Sequence, residues 1–207
     1  MVRSVFALVL LAVPVMGLAA DETAPPVSSS LAEYHRLAHD LQVLAARNAW
    51  SGVERTYDRI EATGVPMQFE ELIAGAHSAR VQGDTRAARD RLRAASRQRE
   101  ERDVLEWMWE IDQSYGQVFL VCEVVKKRQP ELTRALMPFD PNHRRAVEFA
   151  IERLREVCLF DGLLPAGDYE FGHYSFTVHP HVESVSLDMR TGDAKTKKKD
   201  KEVAFEP

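Results

Sequence analysis

The chain has 207 residues, with 27 Lys plus Arg against 32 Asp plus Glu and a formal net charge of −5. That acidic balance excludes a general nucleic-acid-binding surface, which would need an excess of positive charge. Removing the first 19 residues takes away one charge, Arg3, and leaves −6 on a chain long enough for one compact domain or two small ones.

Arg3 opens the sequence, and the stretch from Val5 to Ala20 is apolar apart from Pro14 and Gly17. It is shorter than the roughly 20 residues a membrane-spanning helix needs, and Pro14 interrupts it. Gly17-Leu18-Ala19 places small residues where a signal peptidase reads, and polarity returns at Asp21-Glu22-Thr23. Residues 1–19 are therefore read as a secretory signal peptide cleaved after Ala19, or after Ala20, which predicts a periplasmic or secreted protein. No cysteine near that point offers a lipid anchor, and no later segment is apolar enough to span a membrane. Residues 20–30 form a Pro- and Ser-containing linker.

Four helices follow. The first is capped by Ser29 or Ser30 and carries Leu31, Tyr34, Leu37, Ala38, Leu41, Leu44 and Ala45 at three- and four-residue steps. After a break at Asn48 to Gly52, the second has Val53, Tyr57 and Ile60 on its apolar side and stops at Gly64-Val65-Pro66. The third runs through Phe69, Leu72, Ile73, Ala76 and Ala79 to a break at Gly83-Asp84, and the fourth carries Ala88, Leu92 and Ala95. Asn48 followed by Val53, Tyr57 and Ile60 mirrors Gly83 followed by Ala88, Leu92 and Ala95, at identical offsets 35 residues apart. Over residues 31–97 this resembles the tetratricopeptide repeat, a helix–turn–helix unit of about 34 residues. Asn48 in place of a turn glycine, the larger Val53 and Ile60, and the missing closing proline of the second pair depart from the pattern. The resemblance implies antiparallel helix pairs over 31–100 that present a surface to a protein or peptide partner. Two repeats bury too little by themselves, so the rest of the chain, or a partner, is expected to cover their open end.

Over residues 101–190 the pattern changes. Leu105, Trp107, Trp109 and Ile111 alternate with Glu106, Met108, Glu110 and Asp112, which reads as a strand with the tryptophans packed inward; a helix continuing from Arg102 is the alternative. Ser114-Tyr115-Gly116 reads as a turn into a second strand over Gln117 to Val125, making a hairpin. Asp140-Pro141-Asn142 starts a helix with Ala146, Val147, Phe149, Ala150 and Leu154, ending near Cys158. The run Leu164-Pro165-Ala166-Gly167-Asp168-Tyr169-Glu170-Phe171 sets a turn before a strand, Gly172 a tight turn, and Tyr174, Phe176 and Val178 a further strand; Val185 and Leu187 suggest the last. Residues 163–178 resemble the end of the small β-sandwich modules of PEGA or transthyretin-like type, from which the helix at 143–157 departs as an insertion. The fold class expected is α+β: repeat-like helix pairs, then a β-rich module with an inserted helix. Residues 191–207, with five lysines, are expected to be a disordered tail. Cys122 and Cys158 are expected to pair in an oxidising compartment, with two buried thiols as the alternative.

The search for chemistry finds no nucleophile elbow, phosphate-binding glycine loop or Cys-x-x-Cys. His35 and His39 sit one turn apart, but Arg36 stands where the metalloprotease motif needs Glu, so a polar helix face is the reading. His173, His179 and His181 are the better metal candidates, since 179 and 181 would share one side of an extended strand; solvent-exposed strand-end histidines are the preferred account. Arg86, Arg89, Arg93 and Arg97 form a basic ridge on the fourth helix that would bind a partner's carboxylates, or else be a solvated face paired with its own acids. The expectation is a non-catalytic interaction or scaffold protein of the cell envelope, needing no cofactor and no metal. The alternative is a metal- or carbohydrate-handling enzyme built on the three histidines. Self-association through the uncovered repeat end is a third arrangement.

Overall fold

The computed structural model describes residues 27–123, 130–181 and 184–190. The expected signal peptide, most of the expected linker and the lysine-rich segment from residue 191 lie outside them. The helical part comprises α1 (Val27–Ala46), α2 (Trp50–Ala62), α3 (Phe69–Gln82), α4 (Thr85–Gln98) and α5 (Arg102–Ser114). The first helix begins at Val27, ahead of the expected caps Ser29 and Ser30, so part of the expected linker is helical.

The two turns placed 35 residues apart share a conformation. Asn48 has φ 54° and Gly83 φ 93°, both in the left-handed region that ends helices. Asn tolerates that region better than other side-chain-bearing residues, which is why it serves where the second turn uses glycine. Gly83 is held there by a second constraint: a Cβ would stand 2.4 Å from the Arg145 carbonyl oxygen. Asp84 then caps α4 by accepting from the Ala87 N–H.

The strand expected over Leu105–Ile111 is instead α5. Its buried residues are Val104 and Ile111, with Trp107 and Met108 packed beside them, whereas Leu105 is 46% and Trp109 66% exposed. The alternation was coincidental; the governing period is helical, and it continues the repeat. Tyr34, Leu37, Ala38 and Leu41 of α1 are matched at 35-residue steps by Phe69, Leu72, Ile73 and Ala76 of α3, then by Val104, Trp107, Met108 and Ile111 of α5. The first and last of each set are buried and the third is half-buried in all three helices. All twelve belong to, or pack against, one apolar cluster or lie on its helices, and α5 covers the face that α3 and α4 would otherwise leave open.

No turn intervenes after α5. Tyr115, buried rather than in a turn, opens β1 (Tyr115–Val121) directly. The remaining elements are β2 (Leu132–Thr133), α6 (Pro141–Val157), β3 (Leu159–Pro165), β4 (Gly167–Phe171), β5 (Tyr174–Val178) and β6 (Val185–Asp188). Two three-stranded sheets form, in the orders β3-β1-β6 and β2-β4-β5. β1 therefore pairs antiparallel with β3 (Val118 opposite Gly162) and parallel with β6 (Val118 opposite Val185), not in the expected hairpin. β4 and β5 do form a hairpin, turning at Gly172 with φ 63°. The sheets share a second apolar cluster with α6, including Val118, Leu120, Val147, Leu154, Phe160 and Phe171. Cys122 and Cys158 are disulfide-bonded inside it, closing the segment that contains α6. The whole is α+β, helices first and strands after.

The two clusters meet at α6. Its Asp140 cap accepts from the Asn142 and His143 N–H groups, and Pro141 fits the first turn, where no N–H partner is needed. The helix packs on the α3–α4 turn through Arg145 and Phe149, its Ala146 is buried in the first cluster, and the His143 ring meets the edge of Tyr115. Burial pushes the Tyr115 phenol up to about 12. The α3–α4 end of the helical part is thus covered by α6 of the chain's own C-terminal part.

Candidate partner-binding groove

The groove builds up from the α2–α3 connection. α2 ends at Thr63, Gly64 turns the chain with φ 71°, and Val65-Pro66-Met67 runs extended to Gln68, which caps α3. Glu71 accepts from the Gln68 N–H and from the Tyr34 hydroxyl, the latter at 3.2 Å, fixing the connection to α1. From the other side, the Gln98 side-chain amide of α4 donates to the Met67 carbonyl at 2.8 Å. Between these walls lies an open groove of about 630 Å³. Its floor is apolar, from Val65, Pro66, Met67, Leu72, Ala87 and Ala94; Tyr57, Glu61, Asp90 and Arg91 complete the lining.

Arg91 holds the walls together. It donates to both Glu54 carboxylate oxygens, at 2.6 and 2.8 Å, and to the Gly75 carbonyl at 2.7 Å, with its guanidinium carbon 3.8 Å from the Tyr57 ring centroid. Burial works against the Arg91 charge, but the Glu54 bonds and charge outweigh it and the guanidinium is held more firmly protonated. Tyr57 lies so close to α3 that a Cβ on Gly75 would meet its ring at 2.3 Å. Burial pushes its phenol up, opposed by Arg91, and burial followed by the Glu54 charge pushes Asp58 up. With Arg91 committed to Glu54, the groove's other charged lining residues are Glu61 and Asp90, the latter paired with Arg93 at 3.6 Å.

The basic ridge divides. Arg86 ion-pairs with Asp161 of β3, and Arg89 with Asp112 of α5 at 2.5 Å. Both arginines thereby fasten α4 to its own neighbours. Arg93 reaches only Asp90, at 3.6 Å, and Arg97 is exposed with no ion pair among the described residues. The acids that face Arg86 and Arg89 leave no local mark on the ridge's own helix, because Asp161 and Asp112 come from other elements.

The histidines do not converge. β5 ends at Val178; Pro180 follows, and His181 takes φ 58°, so His179 and His181 do not share a strand face. His181 hydrogen-bonds Gln113 at 2.7 Å and the His173 ring lies against Tyr174. Among the described residues no three His, Cys, Asp or Glu side chains stand together as metal ligands, and His35 and His39 are exposed on α1. A different histidine, not singled out by the sequence, lies between rings: His77 is 6.0 Å from Trp50 and 4.7 Å from Trp107, with Arg80 over Trp107. Burial and then the Arg80 charge lower its pKa. Trp107 Nε1 is buried there without a hydrogen-bond partner.

A second open cavity, about 610 Å³, lies over β2, β4 and β5. Four of its polar side chains are already engaged: Arg134 donates to the Tyr169 hydroxyl and the Ala166 carbonyl, and Thr177 donates to Asp168. Among the described residues no helix is long and apolar enough to cross a membrane. No protein-family model matches this chain, and neither does any curated protein or solved structure.

Proposed function

We propose that this chain is an exported, non-catalytic adaptor of the cell envelope whose tetratricopeptide-like helices hold a peptide or protein segment in the α2–α4 groove. The observation that carries the reading is the 35-residue register of buried positions through α1, α3 and α5. Stacked helices of this kind leave concave surfaces that suit extended partners. Export is supported by the character of residues 1–19 and by the Cys122–Cys158 bond, since disulfides persist in oxidising compartments. The apolar floor offers anchor sites for a partner's side chains. Of the four ridge arginines, Arg97 and Arg93, the latter held only by a long exposed pair with Asp90 at 3.6 Å, are the ones placed to meet its carboxylates, because Arg86 and Arg89 are engaged with other elements of the chain.

The test is selection of peptides from a random library against the mature chain. Selected peptides should lose at least tenfold in affinity on Ala94→Glu, which sets a charge on the groove floor at a half-buried position packed against the helical core, with the urea midpoint of the variant as the check that the fold is kept. Paired Arg93→Glu and Arg97→Glu should reduce binding of acidic peptides only. Peptides indifferent to both changes would count against the groove.

A further inference from the structure

The connection from β2 to α6 turns its apolar side chains outward. Phe139 is 99% exposed, Leu136 82% and Met137 39%. Single exposed apolar residues are ordinary on a protein surface, but a contiguous run of large ones marks a contact. The backbone that presents them is tied at both ends. At its start the Arg134 guanidinium donates to the Tyr169 hydroxyl at 2.9 Å and the Ala166 carbonyl at 2.8 Å. It lies against Gly167, where a Cβ would stand 2.4 Å from it. At its end Asp140 accepts from the Asn142 and His143 N–H groups, and Arg144 of α6 reaches back to the Pro138 carbonyl at 3.3 Å. The fold thus holds the three side chains out, and little ordering is left for a binding event to impose.

Leu136, Met137 and Phe139 stand between two guanidinium groups. Neither Arg134 nor Arg144 has an ion pair among the described residues. Their acceptors are a hydroxyl and carbonyls, which leave the positive charge in place and N–H donors to spare. Asp140, the acid of the loop, is spent on the first N–H groups of α6. Asp168 and Glu170 share a cavity wall with Arg134, and Asp168 accepts from Thr177. We propose that this loop is a membrane-surface anchor: Leu136, Met137 and Phe139 enter the acyl boundary of an anionic lipid surface while Arg134 and Arg144 meet its phosphate groups. A protein pocket rewards matched shape and directional hydrogen bonds. This tip is a protruding run of four unlike apolar residues, Leu136-Met137-Pro138-Phe139, with no polar side chain among them. An acyl boundary accepts any apolar side chain, and arginines beside it take phosphate oxygens while their stems lie along the lipid. Three side chains and two cations make a reversible anchor, in which the apolar element needs charge attraction beside it. It would hold the chain at a surface without a spanning helix, and independently of the α2–α4 groove.

The test is co-sedimentation of the chain from residue 20 onward with vesicles of phosphatidylcholine containing about a quarter phosphatidylglycerol, in about 0.15 M salt. Leu136→Ser combined with Phe139→Ser should lower the partition coefficient roughly tenfold or more. Arg144→Gln should lower it about fivefold on these vesicles and leave binding to phosphatidylcholine alone unchanged. All three positions are exposed, and an unchanged urea midpoint checks that the fold is kept. Phe139→Trp should add a fluorescence signal, above that of the three native tryptophans, that acyl-brominated lipid quenches. The lysines between 195 and 201 also attract anionic lipid, so the result is read as the difference between chains that all retain them. Double-serine variants that bind as the native chain does would overturn the proposal and leave binding to those lysines. A native chain that stays in the supernatant would overturn it too, and leave the tip to a protein partner.

Discussion

Two glycines with similar backbones and different surroundings allow the docking of the β module to be measured. Gly64 has φ 71° and nothing within 4 Å of where a Cβ would stand. Gly83 has φ 93°, with the Arg145 carbonyl oxygen at 2.4 Å and the Phe149 Cβ at 2.8 Å from that position. An alanine at either site pays the left-handed strain, about 1–2 kcal/mol. At Gly83 it also collides with the α6 backbone, which cannot rotate away as a side-chain tip can, and forced overpacking of this kind costs a further ~1–3 kcal/mol. Gly64→Ala should therefore destabilise by about 1–2 kcal/mol and Gly83→Ala by roughly 2–5 kcal/mol. Urea denaturation of both variants, with a common slope as the check on two-state behaviour, reads the difference. Equal losses would mean that α6 is not seated on the α3–α4 turn, and the covering of that end of the helices by the C-terminal part would be refuted.

Other consequences follow from the same packing. Replacing Cys122 and Cys158 with alanine should cost about 4 kcal/mol in the chain-entropy picture, given their separation of 36 residues, and reduction of the native chain should lower the urea midpoint in step. Arg91→Leu strands a largely buried Glu54 carboxylate and should cost about 3 kcal/mol, with peptide binding in the groove lost as well. The Asp140 carboxyl is held below its usual range by the His143 N–H, its charge and the Asn142 N–H. A depressed carboxyl contributes stability above its unfolded pKa of about 4 and loses it as pH falls toward the folded value. Asp140→Ala should thus cost about 1 kcal/mol at pH 7, and the gap to the native chain should narrow below pH 4. Trp107→Phe removes a buried N–H that has no partner and should cost less than about 1 kcal/mol, far less than the loss expected for a well-satisfied core tryptophan.

The first four helices were legible because their apolar stripes and turns are local, whereas the expected caps Ser29 and Ser30 fall inside α1. The sequence also held α5, since adding 35 to Phe69, Leu72, Ile73 and Ala76 lands on Val104, Trp107, Met108 and Ile111. A chance alternation of Leu105, Trp107, Trp109 and Ile111 masked it, and period two is persuasive over so few residues. The start of α6 was readable from Asp140-Pro141, and the β4–β5 hairpin from Gly172. The parallel pairing of β1 with β6 was not, because partners so far apart in sequence leave no local mark. The two-residue β2 is too short to show any pattern. The candidate site was legible only in part. The arginine ridge was visible as a helix face, but its division between Asp161, Asp112 and solvent depends on tertiary neighbours. The groove itself is assembled from α2, its connection to α3 and a face of α4 adjoining that ridge, and only folding brings them together.

Hydrogen–deuterium exchange of the chain from residue 20 onward, with and without a library-selected peptide, tests the central claim most directly. The account predicts new protection in residues 57–67 and 87–98, with β4 and β5 unchanged. Protection confined to β4, β5 and the segment around His173 would contradict it.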